Sequence, residues 1–224
     1  MSLQKIASAA ALLREKGPAA FTKETLYQAS DFLSEKWLGV STSGSHTKTE
    51  LGVDDPDSRE YSTIWYAAVY RLLRSLPTDF PNSTFVDFGS GKGRAVAVAA
   101  TFPFKRVIGV ELTDSMAAAA TENIRRMKHR KAREVEILRM NAAQFEVPPD
   151  ANVIYFYNPF SGRPLEQVVA NIHASFTRNP RRLHIVYVFD DHFEPIVRGQ
   201  PWIALTRRLR FHPNLECGIY ETRP

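Results

Sequence analysis

The sequence predicts an α/β fold, a doubly wound sheet with helices on both faces. Three observations predict it. From Thr84 onward, short apolar runs alternate with helical stretches. The first run, Phe85-Val86-Asp87-Phe88, passes into Gly89-Ser90-Gly91-Lys92-Gly93-Arg94 and then an alanine- and valine-rich stretch to Ala100, which is the pattern of a buried strand, a tight turn and a packed helix. The second run, Arg106 to Glu111, ends in an acid about 20 residues past the loop, the distance at which a dinucleotide-type fold places its ribose-binding carboxylate.

Residues 1–80 carry helical periodicity and no strand pattern. Ile6, Ala10 and Leu13 share one face of a first helix that stops near Gly17-Pro18. Leu26, Ala29, Leu33 and Trp37 form a second stripe. Trp65, Ala68, Val69, Leu72, Leu73 and Leu76 form a third, ended by Pro77. Between these two lies a polar segment, Gly39 to Arg59. Loops of this length inside a compact domain are often functional, and a surface insertion has the same composition. The expected units are a helical cap or lid over 1–80 and a ligand-binding domain over 81–224.

Within the second unit, strands are expected at about 84–88, 106–111, 134–139, 152–157 and 183–189. Helices are expected at about 92–102, 113–130 and 164–176. Two last strands, about 201–211 and 215–222, form an antiparallel hairpin around His212-Pro213-Asn214. Ligands of such sheets bind beyond the carboxyl ends of the strands, at the switch point. Here the glycine loop and Asn158-Pro159-Phe160 end the strands on either side of it.

Composition excludes several classes. The 224 residues are 44% hydrophobic and 24% charged, ordinary for a globular protein with a full core. No apolar run approaches a membrane span. Ile6–Leu13 follows Lys5 in the manner of a signal sequence, but Arg14, Glu15 and Lys16 cut it short, so it is expected to be a helix of the mature protein. Cys217 is the only cysteine, which rules out an intramolecular disulfide and a cysteine metal pair and fits a reducing cytoplasm. No histidine pair has metal spacing, so no metal is expected. The net charge of +5 permits an acidic or nucleic-acid partner without demanding one. Basic clusters occur at Arg125–Arg133, Arg178–Arg182 and Arg207–Arg210. With little aromatic interleaving to stack bases, solvated surface is the favoured explanation of each. Tight-dimer signals are absent.

The glycine pattern separates two cofactor classes. A nicotinamide or flavin site wants Gly-x-Gly-x-x-Gly, whose third glycine lets helix and strand pack closely; that place is held by Arg94. The chain has Gly-x-Gly-x-Gly preceded by Asp87. No hydrolase elbow is present, because Phe88 stands where the first glycine of Gly-x-Ser-x-Gly belongs, and Lys92 is not followed by the Ser or Thr of a P-loop.

This pattern resembles motif I of the class I S-adenosyl-L-methionine (SAM) methyltransferases. Trp37-Leu38-Gly39-Val40, Tyr61 to Ile64, Asp87-Phe88-Gly89-Ser90-Gly91-Lys92-Gly93-Arg94, Gly109-Val110-Glu111 and Tyr157-Asn158-Pro159-Phe160 are similar to a group of small bacterial members, across most of residues 35–190. The seven-strand histone-lysine methyltransferases are a more distant match. The resemblance implies a seven-stranded sheet in the order 3-2-1-4-5-7-6 and SAM as cofactor. It implies that Asp87, Gly89, Ser90, Gly91 and Gly93 shape the methionine site, that Glu111 takes the ribose with Leu112 beside it, and that Asn141 and Ala142 meet the adenine, Asn141 where the family usually has an acid. Phe145 is expected at the adenine face or in the core. Asn158-Pro159-Phe160 is similar to a shortened Asn/Asp-Pro-Pro-Tyr/Phe motif, in which Asn158 accepts from a target nitrogen and Phe160 packs on the acceptor; by residue type alone it is equally a strand-ending turn. Ser62 stands where the group usually has a carboxylate. Tyr61, and less so Tyr66, closes over cofactor or acceptor.

His192, with Asp190, Asp191 and Glu194, follows strand five and has the chemistry for proton transfer in an acceptor pocket, or belongs to a solvated loop. The function expected is methyl transfer to a nucleophile, with nitrogen favoured, of a small-molecule or protein acceptor. The rivals are a protein-lysine or nucleic-acid methyltransferase recruited by the basic surface, and a non-catalytic SAM-binding protein.

Overall fold

The computed structural model describes residues 25–189, 191–212 and 215–223. The expected helix at Ile6–Leu13, Asp190 and the hairpin residues Pro213 and Asn214 lie outside them.

Seven strands form one sheet: β1 (Thr84–Phe88), β2 (Arg106–Glu111), β3 (Glu134–Arg139), β4 (Ala151–Tyr157), β5 (His184–Val188), β6 (Ile203–His212) and β7 (Leu215–Thr222). Their order is β3-β2-β1-β4-β5-β7-β6, as expected. Pairs from β3 to β5 are parallel, and β7 runs antiparallel to both β5 and β6. Every residue of β1 and β5 is buried, which is why these segments read as unbroken apolar runs rather than alternating ones.

The helices are α1 (residues 25–38), α2 (Tyr66–Ser75), α3 (Arg94–Ala100), α4 (Asp114–Arg126), α5 (Gly162–Arg178) and α6 (Phe193–Val197). One face of the sheet packs on α2, α3 and the segment around Leu38, Val40 and Ile64. The other packs on α5, through Leu165, Val168, Ile172 and Phe176. Across β1, β4 and β5 on that side runs an aromatic row, with ring centroids 5.1 Å apart for Phe88–Phe156 and 4.9 Å for Phe156–Tyr187. Phe145 meets Phe88 edge-on in the same core.

Helix α1 departs from its sequence pattern. The stripe of Leu26, Leu33 and Trp37 faces outward, 65%, 65% and 50% exposed. The inner face carries Asp31, Glu35 and Leu38. The reason is Arg94, a buried cation at the start of α3, whose neutralisation requires carboxylates one helical turn apart.

Candidate functional site

At the carboxyl ends of β1, β2 and β4 lies a cavity of about 260 Å³. The glycine loop forms one wall. Gly89, Gly91 and Gly93 all have positive φ, which permits the sharp turn. At two of them the space a side chain would need is taken by the protein itself. A Cβ on Gly89 would overlap Pro159, and one on Gly91 would overlap the Tyr61 ring. The main chain of the loop is therefore covered in part by the chain's own side chains.

The loop's N–H groups are also engaged. Those of Gly89 and Ser90 donate to the Val110 carbonyl at 2.9 and 3.1 Å, and that of Gly93 donates to the Ser90 carbonyl at 2.8 Å. The Gly91 N–H donates to Glu111 Oε2 at 2.9 Å. The N–H groups of Gly89, Ser90, Gly91 and Gly93 are therefore spent within the protein. The electrostatics of the wall are instead acidic. Asp87 and Glu111 both line the cavity, 3% and 8% exposed. Burial, reinforced by the charge of Glu111, pushes the Asp87 carboxyl well above the usual carboxylate range. Glu111 Oε1 accepts from Thr113 N and Oγ1 at 2.9 and 3.0 Å, so both oxygens are oriented while lone pairs remain for a ligand.

The other walls bring in most of the remaining sequence candidates: Ser90, Leu112, Asn141, Ala142, Tyr61, Asn158, Pro159 and Phe160. Asn141 caps a short 3-10 turn, its Oδ1 accepting from Ala143 N at 2.9 Å, which leaves the amide N–H groups as its donors. Asn158 sits in the left-handed region at φ 42°, held there by the turn out of β4. Its Oδ1 is buried with no hydrogen-bond partner, and the same holds for Ser90 Oγ and Tyr155 Oη, both on the cavity wall. Buried polar atoms are ordinarily satisfied, so three orphans around one cavity point to a polar ligand.

Three candidates lie elsewhere. Gly93 is the N-cap of α3 and packs against Ala120 of α4. His192 is exposed outside the cavity wall, with Nε2 2.6 Å from Arg59 Nη2. Tyr66 is fully buried beneath Arg94, whose guanidinium lies 4.4 Å from the ring centroid, and does not reach the cavity.

Sequence reasoning missed Arg94, the organising residue of the site. Its guanidinium donates to Asp31 Oδ2 at 2.5 Å, the Ile64 carbonyl at 2.7 Å, Thr42 Oγ1 at 2.8 Å and Ser43 Oγ at 2.9 Å. One side chain thus ties α1, the 39–59 loop and the Tyr61–Ile64 segment to the end of the glycine loop. Tyr61 Oη in turn donates to the Thr42 carbonyl at 2.5 Å. The loop is further stitched to the end of β4: Arg59 N donates to the Pro159 carbonyl at 3.0 Å and Ser161 N to the Asp57 carbonyl at 2.9 Å. Among the described residues, no group of three His, Cys, Asp or Glu could hold a metal, and no helix is long and apolar enough to cross a membrane.

Residues 64–163 match the family described as histone methylation protein DOT1, a stretch that runs from before α2 to the start of α5. No match is found among curated proteins. Similar solved structures include an RNA methyltransferase from Salinibacter ruber in complex with S-adenosyl-L-homocysteine, with TM-score 0.54 and 20% identity over 71% of this chain and 93% of that one. A tRNA methyltransferase from Bacillus subtilis aligns with TM-score 0.53 and 13% identity, over 70% and 65%. The magnesium protoporphyrin IX methyltransferase from Synechocystis, with bound SAM, aligns with TM-score 0.51 and 16% identity, over 71% and 78%. The sheet order, the glycine loop at the switch point and these likenesses agree, and the chain has the class I methyltransferase fold.

Proposed function

We propose that the protein is a SAM-dependent methyltransferase acting on a nitrogen of its acceptor. The observation that carries this is the oxygen-rich lining of the cavity. A dinucleotide needs free N–H groups for its pyrophosphate, and the loop's donors at Gly89, Ser90, Gly91 and Gly93 are spent internally. Two buried carboxylates and three orphaned oxygens remain, an environment suited to a cation with hydroxyl groups. SAM is such a ligand, and when bound it supplies a methyl group on a sulfonium.

Glu111 would hold the ribose hydroxyls, Asn141 and Ala142 the adenine edge, and Asp87 with the glycine loop the methionyl end. Asn158 Oδ1 would accept from the acceptor N–H and turn the nitrogen lone pair toward the methyl group. A neutral amine needs no stronger base than that, so the chain's task is positioning and exclusion of water. The segment 39–59, bound at one end through Arg94 and at the other through Pro159 and Ser161, would serve as the lid over the acceptor.

The test is incubation with methyl-labelled SAM and fractionated lysate, comparing wild type with Asn158→Ala. Label entering an acceptor fraction with wild type and falling at least tenfold with the variant supports the assignment. Absence of SAM binding in calorimetry would refute it.

A further inference from the structure

Past the C-terminal end of α4 stands a basic surface that the site does not use. Lys128, His129, Arg130, Lys131 and Arg133 are all exposed in the connection to β3. Among the described residues, no carboxylate pairs with Lys128, Arg130, Lys131 or Arg133. The end of α4 accounts for Arg125 and Arg126, whose charges complement the helix dipole. It does not account for cations beyond the cap, which repel one another.

A second element meets this loop. Helix α1 lays Trp37 on His129, with ring centroids 4.4 Å apart and planes within 8°. Lys128 N donates to the Leu38 carbonyl at 2.7 Å, which latches the loop to the end of α1. The indole nevertheless stays 50% exposed, and His129 adopts φ 60°, uncommon outside glycine. The aromatic interleaving that the linear sequence lacks is thus supplied by a residue about 90 positions earlier, brought in by tertiary packing.

Unpaired cations beside an exposed flat aromatic pair fit a ligand with regularly spaced negative charges and stackable faces. We propose that Trp37, His129 and the loop 128–133 form a docking surface for single-stranded nucleic acid, with phosphates on the four cations and a base on the exposed indole. The surface follows the C-terminal end of α4, whereas the cavity meets Thr113 and Met116 at the N-terminal end, and its existence stands apart from the methyl-transfer assignment.

The experiment uses the full chain and a dye-labelled oligouridylate of about 12 nucleotides, followed by anisotropy between about 50 and 300 mM salt. Four phosphate contacts predict a log–log salt slope of about −3. Replacing Lys128, Arg130, Lys131 and Arg133 by alanine should flatten that slope and weaken binding by about 30-fold or more. Trp37→Ala should weaken binding by about tenfold and leave the slope unchanged. Neither variant touches the cavity, so SAM binding measured in parallel reports that both remain folded. No binding at low salt, binding that both variants leave intact, preference for the duplex, or equal affinity for polyglutamate would each overturn the proposal.

Discussion

Arg94→Met is the sharpest perturbation of the structure that frames the site. It keeps the apolar stem and removes the charge. Arg94 and Asp31 are 5% and 13% exposed and 2.5 Å apart, with Glu35 at 3.5 Å, so the substitution strands two carboxylates in a dry environment. Removing one partner of a buried pair costs about 3–5 kcal/mol, most of it the penalty of the orphaned charge. On a chain of this size that is a fall in Tm of about 6–20 °C. The pH dependence has a definite sign. Burial raises the Asp31 pKa in spite of Arg94, which pulls it down. A carboxyl with a raised pKa is better protonated in the fold than in the unfolded chain, so its contribution to stability is lost as pH rises from the ordinary carboxylate value through the folded one. Without Arg94 that window extends upward, and the deficit of the variant should be larger at pH 8 than at pH 5. The assay is urea denaturation at both values, with Asp31→Asn added to the variant as a second arm. The double variant should recover part of the loss. A deficit below about 1 kcal/mol at both pH values, or no recovery in the double variant, would refute the electrostatic account of the clamp.

Three further outcomes are expected. Glu111→Gln keeps an acceptor for Gly91 N but removes the charge, and SAM affinity should fall about tenfold or more in calorimetry; equal affinity would remove the ribose role. Asp87→Asn should raise the stability of the free protein at pH 8 relative to wild type, since the raised pKa of Asp87 costs stability as pH rises through its window, and should abolish any tightening of SAM binding with pH. Thermal melts with and without SAM at pH 6 and 8 decide it, and a free variant less stable than wild type at pH 8 counts against the reasoning. Gly91→Ala should lose about 1–3 kcal/mol, from the left-handed backbone and from displacing Tyr61. Combining it with Tyr61→Ala should leave only the backbone part, so simple additivity of the two losses would show that the ring contact does not matter.

The order of elements from Thr84 to Thr222 and the place of the cavity were legible because they follow from local pattern. Buried parallel strands read as apolar runs, and the glycine spacing, Asp87, Glu111 and Asn158 each end a strand on the same edge of the sheet. The short helix α6 carried no such signal, being only one turn and a half. What tertiary structure alone decided concerns partners distant in sequence. Arg94 read as the residue spoiling a dinucleotide motif; only the fold gives it Asp31, Thr42 and Ile64. The stripe on α1 read as a buried face, yet a buried charge outweighs apolar burial in setting the helix's orientation, so Leu33 and Trp37 face out. The resemblance assigned the glycines to the methionine site, and only the fold shows Pro159 packed on Gly89 and Tyr61 on Gly91. Periodicity records which residues are apolar. It carries no account of which charge must be neutralised by a group many residues away, and that long-range requirement shaped both the clamp and the exposed indole.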